Sequence, residues 1–172
     1  SSDFSKLDNL LNMVKKIGVC EIANHNSSEQ IVVSGHTKAV QELIDKSSEF
    51  SIKRAVLLNV SAPFHCSLMM PAQIILENEL QEITFNDPDL PIICNYTAVA
   101  ENNPLKLKEN IINQVTNKVR WKETMEYALD KKINKVLECG SGKVLSGLFK
   151  RFSKDFNVYN IETIEDLKKF EI

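Results

Sequence analysis

The stretch Asn59 to Ala72, reading NVSAPFHCSLMMPA, sets one histidine, His65, between an apolar run and an amphipathic one. A proline-broken turn at this point would deliver an imidazole to the junction of a strand and a helix. An α/β enzyme can carry a general base at such a junction, because an imidazole titrates near neutrality and can take up and return one proton within a reaction cycle. Upstream, Ala55-Val56-Leu57-Leu58 predicts a buried strand over Ala55 to Val60. Downstream, Leu68, Ala72, Ile75, Leu76, Leu80 and Ile83 recur on one helical face, and Pro71 falls in the first turns, where a missing N–H costs least. The other histidines, His25 and His36, read as surface or turn residues. The sequence has no G-x-S-x-G, and Gly140-Ser141-Gly142 lacks that spacing.

Elements on both sides must position that histidine. Phe4, Leu7, Leu10, Leu11 and Val14 predict a helix over Asp3 to Lys16, with Gly18 standing where a C-terminal glycine usually does. Val19 to Ala23 and Gln30 to Ser34 are β-rich runs around a polar turn, which reads as a hairpin or two neighbouring strands. Thr37 can cap a second helix carrying Val40, Leu43 and Ile44. Helix, strand, strand, helix, strand is the order of a ferredoxin-like unit without its first strand, which places residue 1 inside a domain. Beyond His65, Pro91 to Cys94 predicts a short strand, and Pro104 opens a helix with Leu107, Ile111, Ile112 and Val115. A helix from Trp121 to about Lys131 and a buried strand at Val136-Leu137 follow. Gly140-Ser141-Gly142 then turns into a helix with Val144, Leu145, Leu148, Phe149 and Phe152. Phe156 to Tyr159 and Glu162 to Phe170 complete the chain as strand and helix. The alternation is that of an α/β protein, with a join near Ser61 that separates residues 1–60 from 61–172.

At 172 residues, 43% of them apolar and 26% charged, the chain can bury a substantial core. No apolar run approaches the roughly 20 residues of a membrane-spanning helix. The N-terminus has no basic segment followed by an apolar stretch, so it does not read as a secretory signal, and a reducing compartment is the expectation. Cys20, Cys66, Cys94 and Cys139 lack ligand or disulfide spacing and read as small buried apolar residues, with no metal site implied. A net charge of −2 argues against a strong field for nucleic acid.

Four stretches taken together, Asn24 to His36 (NHNSSEQIVVSGH), Ser61 to Ala72 (SAPFHCSLMMPA), Gln114 to Trp121 (QVTNKVRW) and Glu138 to Leu148 (ECGSGKVLSGL), fall in the order of one known family. The chain resembles the C-terminal part of the malonyl-CoA:acyl carrier protein transacylases of type II fatty acid synthesis, without the half that carries the nucleophilic serine. The resemblance extends over nearly the whole chain. It implies a ferredoxin-like subdomain joined to an α/β-hydrolase-like core and a ping-pong reaction. A serine in a G-H-S-x-G elbow would take malonyl from coenzyme A and pass it to the phosphopantetheine thiol of acyl carrier protein. Within it His65 matches the general base. Gln114 matches the residue whose backbone carbonyl holds the other ring nitrogen, where hydrolase triads use an aspartate.

Other positions are carried over with their plainer alternatives. Phe64 matches a residue linked to preference for an unbranched malonyl group; the alternative is a core aromatic. Asn24 and Asn26 match residues beside the substrate; the alternative is backbone capping in a turn. The family's malonyl-clamping arginine and its oxyanion-hole groups have no counterpart, and Arg54, Arg120 and Arg151 do not match the clamp. Lys53-Arg54 and Lys150-Arg151, with Lys154, could face the acidic surface of a carrier protein, or be a solvated face. The implied substrates are malonyl-CoA and acyl carrier protein, with coenzyme A as part of a substrate and no cofactor, nucleic acid or membrane partner. The complete enzyme is expected to be a monomer, in cytoplasm or in an organelle with bacterial-type fatty acid synthesis, and these residues alone are expected to be inactive. Two rival readings stand beside this one: a non-catalytic interaction module of acyltransferase shape, and an acyltransferase domain of a polyketide synthase.

Overall fold

The computed structural model describes residues 4–169. Asp3 and Phe170, the outer bounds expected for the terminal helices, lie outside the described residues. The chain separates into two compact units, Ser1–Trp121 and Lys122–Ile172, so the expected join near Ser61 falls within the first unit.

The first unit begins with α1 (Phe4–Val14), β1 (Cys20–His25), β2 (Ile31–Gly35) and α2 (Thr37–Lys46). β1 and β2 pair antiparallel, as the two β-rich runs predict. Helical spacing gathers Leu10, Leu11 and Val14 of α1, Ala39 and Leu43 of α2, and Cys20 of β1 into one buried cluster. Gly35 is required by close approach: a Cβ there would lie 2.1 Å from the Val19 carbonyl oxygen. The ladder has an irregularity between Ile22 and Asn24, and Ala23 turns its carbonyl away to accept from Val119 N–H at 2.8 Å. His25 N–H donates back to the Val119 carbonyl at 2.9 Å. Strand β1 is thereby fastened to the segment that follows Gln114.

A 3-10 turn at Ser67–Met69 leads into α3 (Met70–Gln81), whose Pro71 sits in the first turn. Next come β3 (Ile92–Ile93) and β4 (Ala100–Glu101), a short antiparallel pair, and α4 (Pro104–Gln114). Asn103 caps α4 by accepting from Lys106 N–H at 3.1 Å, with Pro104 opening the helix. The second unit holds α5 (Trp121–Asp130, its first residue closing the first unit), β5 (Lys135–Cys139), α6 (Val144–Phe152), β6 (Asn157–Ile161) and α7 (Ile164–Lys169). β5 and β6 are parallel, joined by α6, and Phe149 meets Phe156 edge-on at 4.8 Å between ring centres.

Several expectations need correction. Residues 55–60 form no strand, and Val56, Leu57, Leu58 and Val60 are exposed. Apolar character cannot make a strand whose ladder partner is absent from the described residues. Ile75 of α3 and Ile83, two residues past its end, are exposed although Leu80 is buried, so the periodic face is only partly covered. β5 is half exposed rather than buried, with Leu137 39% accessible. Thr37 is the first helical residue of α2, His36 is its N-cap, and neither supplies a side-chain cap bond. Cys20 and Cys66 are buried as expected, Cys94 is partly exposed, and Cys139 is exposed because alternation along β5 turns it outward.

Candidate active site

His65 lies in the turn between the uncovered apolar run and α3. Its backbone has φ +60°, a left-handed conformation that costs a residue with a β-carbon roughly 1–2 kcal/mol. Flanking contacts hold the turn in that shape: Phe64 N–H donates to the Ala62 carbonyl at 3.0 Å, and the buried Cys66 Sγ donates to the Pro63 carbonyl at 3.1 Å.

On the ring, Nδ1 lies 2.9 Å from the carbonyl oxygen of Gln114, the last residue of α4. A carbonyl can only accept, so Nδ1 carries the proton and the lone pair of the neutral ring resides on Nε2. Among the described residues no hydrogen bond engages Nε2. The Gln114 side chain also approaches Nδ1, at 3.4 Å, but its Nε2 is a donor and is committed to the Asn117 carbonyl at 2.8 Å. Turning the amide over would set two carbonyl oxygens against each other, so the orientation is fixed and Gln114 Oε1 is left buried without a partner. Nearby, Asn117 Nδ2 donates to the Asn113 carbonyl at 2.8 Å, and Thr116 Oγ1 donates to Gln73 Oε1 at 2.5 Å. These bonds tie the end of α4 to itself and to α3.

Of the residues singled out by sequence, the structure brings His65 and Gln114 together. Phe64, next in the turn, is 46% exposed. Asn26 is half-buried, and its N–H donates to the Gln30 carbonyl at 3.0 Å. Capping of that turn falls to Ser27, whose hydroxyl accepts from Glu29 and Gln30 N–H at 3.2 and 3.1 Å. Asn24 belongs to β1 and bridges Val119. His36 has a structural contact, its Nδ1 accepting from Val19 N–H at 2.9 Å. Arg120 donates from a guanidinium nitrogen to the Thr97 carbonyl at 3.2 Å. Lys53 and Arg54 are exposed in the first unit; Lys150, Arg151 and Lys154 are exposed in the second. A cleft of about 320 Å³ lined by Tyr96, Thr97, Asn117, Lys118 and Arg120 does not include His65.

Sequence reading passed over Glu21 of β1. Its two carboxylate oxygens accept from Ser67 N–H and Ser67 Oγ–H, both at 2.8 Å, across a separation of 46 residues. No local spacing rule reaches that far.

The second unit holds a comparable carboxylate. Glu138 on β5 accepts from Leu145 and Ser146 N–H at 3.0 and 2.7 Å, covering the free donors at the start of α6. The neighbouring Ser146 side chain first, then the Ser146 and Leu145 N–H groups, hold the Glu138 carboxyl below its usual range against a cost of burial. The Ser146 hydroxyl, buried without a hydrogen bond of ordinary geometry, acts by proximity. Among the described residues no cluster of His, Cys, Asp and Glu could hold a metal ion, and no helix is long and apolar enough to cross a membrane.

An α/β framework with a carbonyl-oriented histidine in a strained turn is an arrangement that can serve acid–base chemistry on an acyl group. Comparison with known proteins gives that class a particular relative. The chain is 34% identical, over 167 residues, to the malonyl CoA-acyl carrier protein transacylase of Staphylococcus aureus strain COL; the match spans 96% of this chain and 54% of that protein. The acyl-carrier-protein S-malonyltransferase of Bartonella henselae superposes with a TM-score of 0.91 at 39% identity, covering 97% of this chain and 53% of that one. A malonyl-transacylase solved in complex with its type II PKS acyl-carrier protein gives a TM-score of 0.91 at 31% identity, over 96% of this chain and 53% of that one. No family model matches the chain. The resemblance read from the four stretches is thus borne out: the chain is homologous to about half the length of malonyl CoA-acyl carrier protein transacylases.

Proposed function

We propose that these residues form the general-base side of an acyltransferase that moves malonyl from malonyl-CoA to the phosphopantetheine thiol of acyl carrier protein. The observation that carries this reading is the 2.9 Å contact between His65 Nδ1 and the Gln114 carbonyl, which leaves Nε2 as the proton acceptor. In the proposed cycle, Nε2 takes the proton of a serine hydroxyl as its oxygen attacks the thioester carbonyl. The imidazolium returns that proton to the departing coenzyme A thiolate. Acyl transfer to the carrier thiol repeats the sequence, with the serine oxygen now the leaving group. Since the sequence contains no G-x-S-x-G, polypeptide outside these 172 residues supplies the serine, the oxyanion hole and the cation for the malonyl carboxylate. On this reading residues 1–60 form an incomplete ferredoxin-like subdomain without its first strand, residues 61–172 belong to the acyltransferase core, and residues 55–60 pair with a strand supplied by polypeptide outside these 172 residues.

Phe64 lines the acyl site and disfavours an α-branched group, Asn26 lies at its edge, and Lys53, Arg54, Lys150 and Arg151 attract the acidic carrier protein. A carrier protein of polyketide synthesis is a second candidate acceptor, favoured by the similarity to the transacylase solved with its type II PKS partner.

The test is an assay of the source protein, with its intact mass determined alongside. A mass well above 19.5 kDa together with malonyl transfer to holo acyl carrier protein is expected. A folded protein of 19.5 kDa without transfer activity would favour the non-catalytic interaction module.

A further inference from the structure

We propose that Glu21 is the positioning residue for His65, holding the strained turn so that the imidazole meets the Gln114 carbonyl. The inference rests on the reading of His65 as the base but has its own test. Three observations converge on it. The left-handed backbone at His65 is unfavourable by itself and needs outside contacts to persist. Two residues later, Ser67 gives both its N–H and its hydroxyl to the Glu21 carboxylate, two charge-assisted bonds of 2.8 Å at the start of the turn that leads into α3. From the same strand, Ala23 and His25 exchange backbone hydrogen bonds with Val119, five residues beyond Gln114.

Strand β1 therefore grips both halves of the proton-handling pair. Its acidic side chain holds the histidine turn, and its main chain, freed at the ladder irregularity, holds the segment that fixes the carbonyl. A strand rises about 3.3 Å per residue, so the interval from Glu21 to Ala23 sets a fixed spacing between the two attachments. Removing the carboxylate releases the histidine side alone, because the backbone attachment to Val119 does not involve the Glu21 side chain.

Ring nitrogen NMR on the full 172-residue chain tests this directly. At mildly alkaline pH, His65 should show a protonated Nδ1 and a bare Nε2. His36 should show the reverse, because its Nδ1 accepts from Val19 N–H, and it serves as the internal control. Glu21→Ala should make the two His65 nitrogens average between tautomers and speed amide exchange at Ser67 by about tenfold or more, with the His36 pattern intact. Glu21→Gln should restore the His65 pattern, since its oxygen can accept from Ser67 N–H while its amide donates to the hydroxyl. If the His65 pattern persists in Glu21→Ala, or if Glu21→Gln fails to restore it, the proposal is wrong. Should Glu21→Ala unfold the chain, seen as collapse of the His36 pattern, Ser67→Ala decides. Faster exchange around residue 65 with His36 unchanged supports the splint, and unchanged exchange overturns it. Absence of malonyl transfer in the assay of the source protein, with these spectra intact, would fail the acyltransferase reading while leaving the positioning role standing.

Discussion

A carbonyl acceptor fixes the tautomer of His65 without supplying negative charge, so an imidazolium formed in the proposed cycle gains less than it would from a carboxylate. His65→Ala in the complete enzyme should lower kcat by about 10²–10⁴-fold with the melting temperature little changed, since the ring acts in proton transfer. Turnover within a few-fold of the parent would remove the role. Gln114 has two separate jobs. Its main chain holds the ring, and its amide holds the Asn117 carbonyl at 2.8 Å. Gln114→Ala should therefore leave most of the rate but cost about 1 kcal/mol of stability, readable in a urea titration. A rate loss as large as that of His65→Ala would show that the side chain, not the carbonyl, does the holding.

At the scale of elements, each unit is organised around a short-range constraint that a single substitution exposes. Leu10 is fully buried where α1 meets α2 and β1, and Leu10→Ala should destabilise by about 2–5 kcal/mol in chemical denaturation. The β5–α6 junction depends on Glu138 instead. Its folded carboxyl lies below the ordinary value, so its stabilisation is fully present above the unfolded pKa and disappears as pH falls through the folded one. Glu138→Gln should remove part of the acid-side decline in stability, measured from melts across the acidic range. An acid limb identical in parent and variant would show that another carboxylate dominates it.

For the whole molecule, thiol chemistry reports on the fold. Burial foremost, then Cys66 and Glu21 nearby, push the Cys20 thiol up to about 11 from an ordinary 9.0. A raised pKa means the folded state holds its proton more tightly. The stabilisation is complete below about pH 9 and is lost toward about 11, and Cys20→Val should flatten that alkaline limb in melts across this range. In a native alkylation experiment Cys139 should be modified first, with Cys20 and Cys66 protected until unfolding. For the complete enzyme, Lys150→Glu with Arg151→Glu should raise the KM for carrier protein and leave that for malonyl-CoA unchanged. Equal effects on both would count against docking at this surface.

Local rules of the chain carried far. The spacing of Leu10, Leu11 and Val14 marked α1, the β-rich runs marked the hairpin, Pro104 opened α4, and the resemblance carried by the four stretches implied the pairing of His65 with Gln114. Each of these depends on neighbours within a few residues, or on a pattern written in the sequence itself. Residues 55–60 show the limit: their apolar side chains read as a buried strand, yet a strand needs partner main chain, and none of the described residues provides it. Exposure of Cys139 and Ile75 was hidden for a related reason, since periodicity tells which residues share a face but not whether anything covers it. The sequence by itself determined that helices and strands alternate, that Pro104 opens α4 and which histidine is the candidate base. Only the tertiary structure decided that Glu21 grips Ser67 and that β1 spans the histidine turn and the segment after α4, because those contacts join positions that no periodicity relates.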